Sequence, residues 1–526
     1  MVNTEARAGR REWIGLAVLV LPTLLVSMDM TALFFALPAL SADLQPSSSQ
    51  QLWIMDIYAF LLAGSMITMG ALGDRIGRRK VLLIGACLFG VTSVLAAYAS
   101  TAELLIAARA LLGVAGATLA PSTLSLIRNM FHDAQQRRTA IAIWTAGFSG
   151  GAGLGPMLGG LLLEKFWWGS VFLVNVPVMI LLLVLGPLLL PEYRAPKAGR
   201  FDLFSAFLSL AAVLPVIYGV KMAAEDGADP LPIGSIAVGL VVGYLFLRRQ
   251  RRLADPLIDV GLFANRGFST SIGANVLSIF AMVGFGFFGT QFMQLVLGMR
   301  PLEAALWTLV IAPSIGLSVI VASTLVRWIR PAYVVAGAIA LMGAGFVILA
   351  QVQVDSSMLV LGLGFIILTG GAGAVGALAV DMIVAAAPPE RAGAASALSE
   401  TGSEFGGALG VAILGSIGAA VYHDRMDDAV PQSLPPEAAE AARDTLGGAS
   451  EVSRHLPEQI GMPLVETAQE AFAAGMRVSA VTGAAIMAVT AVIAAITLRH
   501  LNPAGAAEDA VEDASPARTP ELVDEP

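Results

Sequence analysis

Several acidic side chains and one arginine lie inside long apolar stretches of this sequence, where burying a charge costs on the order of 2.5–3.5 kcal/mol. They are Asp29, Asp56, Arg109, Asp381, Glu400 and Glu404. A carboxylic acid in a low-dielectric site favours its neutral form, so it takes up a proton near neutral pH, and when ionised it attracts a cation. Glu400 and Glu404 are one helical turn apart and share a helix face. These residue types predict an exchange of protons for a cationic ligand.

The stretches that hold these residues are typical of a membrane protein. Hydrophobic residues make up 56% of the chain and charged residues 13%, whereas globular domains carry about 25% charged residues. The mean hydropathy is +0.77. A helix needs about 20 apolar residues to cross a bilayer. The sequence therefore predicts an all-α polytopic membrane protein with fourteen spans, at residues 14–36, 52–72, 81–99, 103–127, 139–163, 170–190, 202–221, 231–247, 268–292, 303–325, 332–350, 358–386, 396–421 and 476–498.

The positively charged residues predict the orientation of these spans. A cytoplasmic N-terminus puts most of the 31 Lys and Arg residues on the cytoplasmic side, as the positive-inside rule requires, and makes both termini cytoplasmic. Spans seven and eight are short, so Lys221 is predicted to lie in a brief external loop with Asp226 and Asp229. Much of the net charge of −8 comes from residues 422–475 and from the tail, so it implies no nucleic-acid partner.

The turn between the second and third predicted spans reads GALGDRIGRRK, residues 70–80. Its glycines permit a sharp turn and a close approach of the flanking helices: Gly70, Gly73 and Gly77. The pattern closely resembles the loop motif between helices 2 and 3 of the major facilitator superfamily. The resemblance implies that Asp74, Arg75 and Arg78 hold the two halves of a transporter together at the cytoplasmic face in the outward-facing state.

Further motifs extend the resemblance over nearly the whole chain and indicate the fourteen-helix drug:proton antiporter branch. The D-x-T…A-L-P pattern that begins at Asp29 resembles the helix-1 motif of that branch, and R-A-L-L-G-V-A-G from Arg109 resembles the helix-4 motif. The glycine and proline run of span five resembles a motif specific to antiporters: Gly151, Gly155, Pro156, Gly159 and Gly160. Glycines in span 13 form a weak internal repeat of this run, typical of alternating-access transporters.

The resemblance also implies roles for the buried charges. Asp29 would exchange a proton for the cation, and the alternative is a structural salt bridge, for example with Arg109. Arg109 would modulate a neighbouring carboxylate, and the alternative is a fixed structural partner. Glu400 and Glu404 resemble the acidic pair that is associated with dicationic substrates in helix 13 of the family. Glu400 alternatively lies close enough to the cytoplasmic interface to be hydrated.

The remaining two acids each have a second interpretation. Asp56 lies between Trp53 and Tyr58, and aromatic rings beside an acid favour an organic cation. The same aromatic residues are also typical of an interface belt. Asp381 lies near the inner end of span 12, where it either takes part in transport or reaches the cytoplasmic headgroups.

The resemblance predicts a major facilitator fold in which two extra helices lie between two six-helix halves. The halves are residues 1–190 and 268–500, and residues 191–267 hold the inserted helix pair and a cytoplasmic connector. Two short helices are predicted in the external loop 422–475, from PPEAAEAARDTL and VETAQEAFAAG, as a cap near the exit or as a solvated structure without a transport role. The acidic, cytoplasmic tail 501–526 is predicted to be disordered.

The function that the resemblance implies is proton-coupled multidrug efflux across a bacterial cytoplasmic membrane. Its partners would be protons, membrane lipids and lipophilic organic cations such as quaternary ammonium compounds, dyes and methyl viologen-like dications. The sequence has no P-loop and no metal-binding pattern, so we expect a monomeric transporter without a cofactor, driven by the proton gradient, and not an enzyme. The alternatives are a dedicated exporter of an endogenous metabolite, antibiotic or lipid, and a membrane sensor or assembly protein that has lost transport.

Overall fold

The computed structural model describes residues 8–194, 202–225, 229–253, 256–386, 392–427, 429–431 and 434–499, and these ranges are helical with short connections and no strand. The helices are α1 Arg10–Leu44, α2 Ser48–Ile76, α3 Arg78–Ala97, α4 Ala102–Met130, α5 Ala134–Lys165, α6 Ser170–Leu173, α7 Asn175–Leu189, α8 Leu203–Glu225, α9 Pro230–Gln250, α10 Arg266–Gln291, α11 Pro301–Leu325, α12 Pro331–Leu349, α13 Met358–Ala386, α14 Ala392–Asp427, α15 Pro436–Asp444, α16 Leu446–Arg454 and α17 Glu458–Thr497.

Thirteen helices in these ranges are long and apolar enough to cross a membrane, or fourteen when the bent α2 is counted as one span. Helix α2 bends by 49° between Ser48–Met66 and Thr68–Ile76. Helices α6 and α7 together form one of the candidate spans, Ser170–Leu189. The prediction of an all-α polytopic membrane protein is confirmed.

Two sets of helices pack within themselves, and we call α1–α7 the first bundle and α10–α14 with α17 the second bundle. In the first bundle α1 packs along α5, and in the second α10 packs along α14. Glycine makes both contacts close: a Cβ on Gly410 of α14 would lie 2.1 Å from the carbonyl oxygen of Phe280 of α10. The two glycine-rich helices of the sequence repeat therefore occupy equivalent places.

The bundles meet mainly where α2 contacts α14 and where α5 contacts α11. Helices α15 and α16 lie at one end of the assembly, which we call the cap end, and the turn at residues 70–80 lies at the other, the turn end. The Ser48 hydroxyl, at the start of α2, donates a hydrogen bond to the Asp444 carbonyl of α15. The Cβ position of Gly447 lies 2.9 Å from Ser41 Cβ, so α16 also packs closely on α1.

The cap-end helices differ in part from the prediction. Helix α15 corresponds to the first predicted short helix, but the second short helix is α16, and the predicted segment 465–475 belongs to α17. The reason is that VETAQEAFAAG favours a helix and leads without a break into the last apolar stretch. The 40 residues of α17 extend about 60 Å, twice the hydrocarbon thickness. The tail 501–526 lies outside the described residues.

Helices α8 and α9, which we call the insert, form a hairpin beside the junction of α2 and α14. Their backbones approach closely, because the Cβ position of Gly239 lies 2.6 Å from the Ala212 carbonyl oxygen. Arg249 of α9 forms an ion pair of 3.0 Å with Asp202, the residue before α8. The insert is therefore a tightly packed unit that contacts both bundles.

Candidate functional site

Asp29 of α1 and Arg109 of α4 form an ion pair deep in the first bundle, with residue exposures of 2% and 1%. Asn175 of α7 donates a hydrogen bond of 3.4 Å to the other carboxylate oxygen of Asp29, and a second of 3.2 Å to Ser93 Oγ. A buried charge is tolerated when it is paired and hydrogen-bonded in this way. The pair satisfies Asp29 and holds three helices of the bundle in register.

Arg109 also connects this pair to helix α2. Its Nε donates a hydrogen bond of 3.1 Å to the Ile54 carbonyl, and its guanidinium carbon lies 4.5 Å from the centroid of the Tyr58 ring. Arginine stays protonated at physiological pH, so its contribution to proton exchange is its fixed charge. A change in the charge of Asp29 therefore alters the ion pair of Arg109, which in turn contacts Ile54 and Tyr58 of α2.

Asp56 of α2 forms a second buried ion pair, and its partner is Lys221 of α8. Lys221 Nζ lies 2.9 Å from Oδ1 and 2.8 Å from Oδ2 of Asp56. The same ammonium group lies 3.8 Å from the centroid of the Trp53 ring. The prediction that Lys221 lies in an external loop is wrong: α8 continues through residue 225, and the Asp56 carboxylate compensates the lysine charge within the bundle.

The third acidic group, Glu400 and Glu404 on α14, has no ion-pair partner among the residues that the structure describes. Both side chains are half-buried. Oε2 of Glu404 is inaccessible to solvent and has no hydrogen-bond partner. Two ionised carboxylates on one helix face repel each other, which favours one shared proton or a bound cation.

An apolar cavity of about 740 Å³ lies between the insert and helices α2 and α14. Its wall includes Phe60 of α2, Ile217 of α8, Tyr244 of α9 and Phe405 of α14. Thr401 of α14 also lines the cavity, and its buried hydroxyl has no hydrogen-bond partner among the described residues. The α14 residues that line the cavity, among them Thr401 and Phe405, lie on a different helix face from Glu400 and Glu404, which are not part of its wall.

The last predicted acid does not join this arrangement. Asp381 lies near the end of α13 and is exposed. This placement favours the second interpretation of Asp381, in which its side chain reaches the headgroups.

The turn at residues 70–80 is held by partners within the first bundle. Asp74 accepts a hydrogen bond of 2.8 Å from Arg78 Nε, and Arg78 Nη1 donates one of 3.4 Å to the Pro121 carbonyl. Arg75 is exposed. The described contacts of Asp74 and Arg78 do not reach the second bundle, so their role in joining the halves stays a prediction.

Within the same turn, Gly77→Ala is expected to lower the free energy of unfolding and Gly70→Ala is not. Gly77 has φ +120°, and its Cβ would lie 2.5 Å from Glu192 Oε1. A side chain in a left-handed conformation costs about 1–2 kcal/mol before that clash is counted. The nearest atom to a Cβ on Gly70 is Pro121 Cβ at 3.7 Å, an ordinary contact. Thermal unfolding of the two purified variants measures the difference, and equal melting temperatures would contradict it.

The glycine run of α5 packs on the segment of α1 that carries Asp29. Cβ atoms on Gly151 and Gly155 would lie 2.1 Å from Leu24 O and Thr31 Oγ1, and one on Gly159 would lie 3.2 Å from Ala32 O. Pro156 lies within the same helix. Gly160 faces the second bundle instead, with its Cβ position 2.9 Å from Leu302 Cα at the cap end. The run therefore fixes α1 around Asp29.

Two residues of the site, Lys221 and Asn175, have no role that the sequence alone predicts. Asn175 lies in the stretch WWGSVFLVNVP, where an amide among apolar residues is the available signal. Lys221 stands at the end of the short predicted span 202–221, and a span that ends there leaves the lysine outside. Their partners are 146 and 165 residues away along the chain, so local pattern does not reveal them.

Comparison with known proteins agrees with this architecture. The family model of the Major Facilitator Superfamily matches residues 19–411. The chain is 45% identical over 500 residues to the multidrug efflux pump LfrA of Mycolicibacterium smegmatis, across 94% of this chain and 98% of that protein. It is 34% identical over 464 residues to the methyl viologen resistance protein SmvA of Salmonella typhimurium, across 88% of this chain and 93% of that protein.

A solved structure of similar fold is the bacterial homologue of the human lysosomal transporter Spinster, in an inward-facing and unoccupied conformation. The TM-score is 0.62 at 17% sequence identity, and the match covers 94% of this chain and 98% of that one. At this identity the likeness concerns the fold alone. Together with the family match over most of the chain, it shows that the protein is a membrane transporter of the Major Facilitator Superfamily and not an enzyme.

Proposed function

We propose that this protein exports lipophilic organic cations from the bacterial cytoplasm in exchange for protons. The observation that carries the proposal is the acidic pair Glu400 and Glu404 of α14, which has no ion-pair partner among the described residues and includes a buried oxygen without a hydrogen-bond partner. Its relatives bear the names multidrug efflux pump and methyl viologen resistance protein, which supports drug efflux as the general activity. The proton gradient supplies the energy, and the transporter acts as a monomer without a cofactor.

The balance of buried charges supports a cationic substrate. Asp29 is neutralised by Arg109, and Asp56 by Lys221, so neither pair attracts a further charge in this conformation. Glu400 and Glu404 have no such partner among the described residues. When both are ionised they carry two negative charges on one helix face, which suits a dication or a monocation together with one proton.

The proposed cycle uses the two ends of the molecule in turn. Two close glycine contacts between the bundles, at Gly160 and Gly415, lie near the cap end. We assign the cap end to the exterior and the turn end to the cytoplasm, with both termini inside, as the positive-inside rule requires. Substrate then reaches Glu404 from the cytoplasmic side, the bundles rock, and external protons on the carboxylates release the cation.

Glu404→Gln is expected to reduce export of the dication methyl viologen about a hundredfold and export of the monocation ethidium less than about threefold. Removing one carboxylate about 5 Å from one of the two positive charges of the dication costs about 3 kcal/mol at an effective dielectric constant of 20, and each 1.4 kcal/mol is a factor of ten. The remaining carboxylate of Glu400 still neutralises a monocation. Gradient-driven uptake of both compounds into everted membrane vesicles measures the effect.

Asp381→Asn is the matched control, because this exposed acid lies on a neighbouring helix away from the cavity. We expect this variant to export both compounds within about twofold of the unmodified protein. An equal loss of both cations in Glu404→Gln, or no loss of either, would contradict the assignment of dication recognition to α14. If the unmodified protein moves no organic cation, a dedicated metabolite exporter becomes the better hypothesis for its function.

A further inference from the structure

The environment of Lys221 has the features of an ammonium-binding site. Both oxygens of Asp56 lie within 2.9 Å of Nζ, and the Trp53 ring covers the ammonium at 3.8 Å. A carboxylate with an aromatic face in a dry site also binds the cationic head of a ligand, because the ring quadrupole and the charge act together. The cation in that site is a side chain of the protein itself.

Packing of the insert does not require this buried lysine. The neighbouring contacts of α8 with α2 and α14 are apolar and include Phe60, Ile217, Ala408 and Ala412. Replacing a buried ion pair by well-packed apolar side chains is often neutral or stabilising, so apolar contact alone would hold α8 in place. A charged pair at this position therefore points to a role other than packing.

The ion pair continues the wall of the cavity. Ile217 and Lys221 are one turn apart on α8, and Phe60 and Asp56 are one turn apart on α2. Ile217 and Phe60 both line the cavity, so Lys221 and Asp56 lie about 6 Å beyond these wall residues along α8 and α2. An amphiphilic cation whose apolar part fills the cavity therefore brings its charged head within reach of Asp56.

We propose that Asp56 and Trp53 form a second binding site for the charged head of a lipophilic cation, and that Lys221 is its resident cation, displaced by the substrate. This inference rests on the proposed function. It adds that Lys221 of the insert and the substrate compete for the same carboxylate. The exchange replaces one cation by another, so it leaves the charge of the site unchanged. The flexible stem of Lys221 lets its ammonium move toward water at the nearby end of α8.

The test is the affinity of the purified full-length protein for tetraphenylphosphonium, a bulky monovalent cation, measured by titration calorimetry. Lys221→Met removes the competitor and is expected to raise the affinity at least tenfold. Lys221→Arg keeps a cation at the site, so its affinity should stay within about threefold of the unmodified protein. The double variant Asp56→Asn, Lys221→Met should lose the gain, because the carboxylate that binds the ligand is absent.

A purely structural pair gives a different pattern. In that case Lys221→Met leaves the affinity unchanged or lower, and that result overturns the inference. A gain that persists in the double variant overturns it as well, because the gain then does not depend on Asp56. If Lys221→Met does not fold, Lys221→Gln replaces it, since Gln keeps a hydrogen-bond donor for Asp56 but carries no charge.

The failure of this inference is distinguishable from the failure of the proposed function. Export of ethidium by the unmodified protein in vesicles tests the proposed function without reference to Lys221. Export with no gain of affinity in Lys221→Met rejects the second site alone. Absence of both export and tetraphenylphosphonium binding in the unmodified protein rejects both.

Discussion

Asp29→Asn is expected to reduce export of ethidium driven by a pH gradient to the background of vesicles without the protein. The physical reason is that Asn cannot exchange a proton, while Arg109 keeps its charge beside it. Loss of the carboxylate also leaves Arg109 buried with its ion pair broken, which costs about 3–5 kcal/mol of stability in comparable sites. Fluorescence of ethidium in everted vesicles measures transport, and thermal unfolding measures stability.

Two further variants separate the loss of coupling from the loss of stability. Asp29→Asn with Arg109→Gln removes both charges, so it should recover much of the melting temperature and still not couple transport to the gradient. Asp43→Asn changes an exposed acid on the same helix, which accepts a hydrogen bond of 2.6 Å from Trp168, and should keep gradient-driven transport. Transport that returns in the double variant would show that Asp29 has a structural role only.

Gly151→Ala is expected to lower the melting temperature strongly, whereas Gly153→Ala on the same helix is expected to leave it unchanged or higher. A Cβ on Gly151 would lie 2.1 Å from the Leu24 carbonyl oxygen and 2.2 Å from Ser27 Oγ, so α1 and α5 must separate. Overpacking of this kind costs about 1–3 kcal/mol. A Cβ on Gly153 meets no atom within 4 Å, and Ala favours a helix over Gly by about 1 kcal/mol.

The same pair of variants tests the antiporter role of the glycine run. Because Gly151 packs beside the segment of α1 that holds Asp29, its substitution should also reduce gradient-driven export in vesicles. Gly153→Ala should export at the rate of the unmodified protein. Similar melting temperatures for the two variants would mean that close packing of α1 on α5 does not determine stability.

The sequence was most informative where one residue type is forced by local geometry or by the membrane. Gly77 of the turn and Gly151 and Gly155 of α5 are examples, because positive φ or close backbone approach leaves few other choices at these positions. The length of an apolar stretch predicts a membrane span for a similar reason. Lipid offers no hydrogen-bond partners, so the backbone groups of a span must bond to one another, as they do in a helix. Buried charges are recognisable because each of them is costly in hydrocarbon.

Partners and helix ends were harder to predict. Lys221 was placed in a loop because its compensating carboxylate is on α2, far away in the chain. The start of α17 was missed because helical propensity alone does not show that a short segment and the following span form one helix. The hydrogen bond from Asn175 to Asp29 depends on how α7 is rotated about its axis relative to α1. Hydropathy does not determine this rotation.

The most direct test of the proposed exchange is proton movement driven by the substrate itself. The purified protein is reconstituted into liposomes that contain a pH-sensitive dye, with the membrane potential clamped and no pH gradient imposed. Ethidium is then added outside. Coupled antiport predicts that ethidium enters as protons leave, so the lumen becomes alkaline, and that Asp29→Asn shows no such change. Ethidium entry at the same rate without a change in lumenal pH would contradict proton-coupled export.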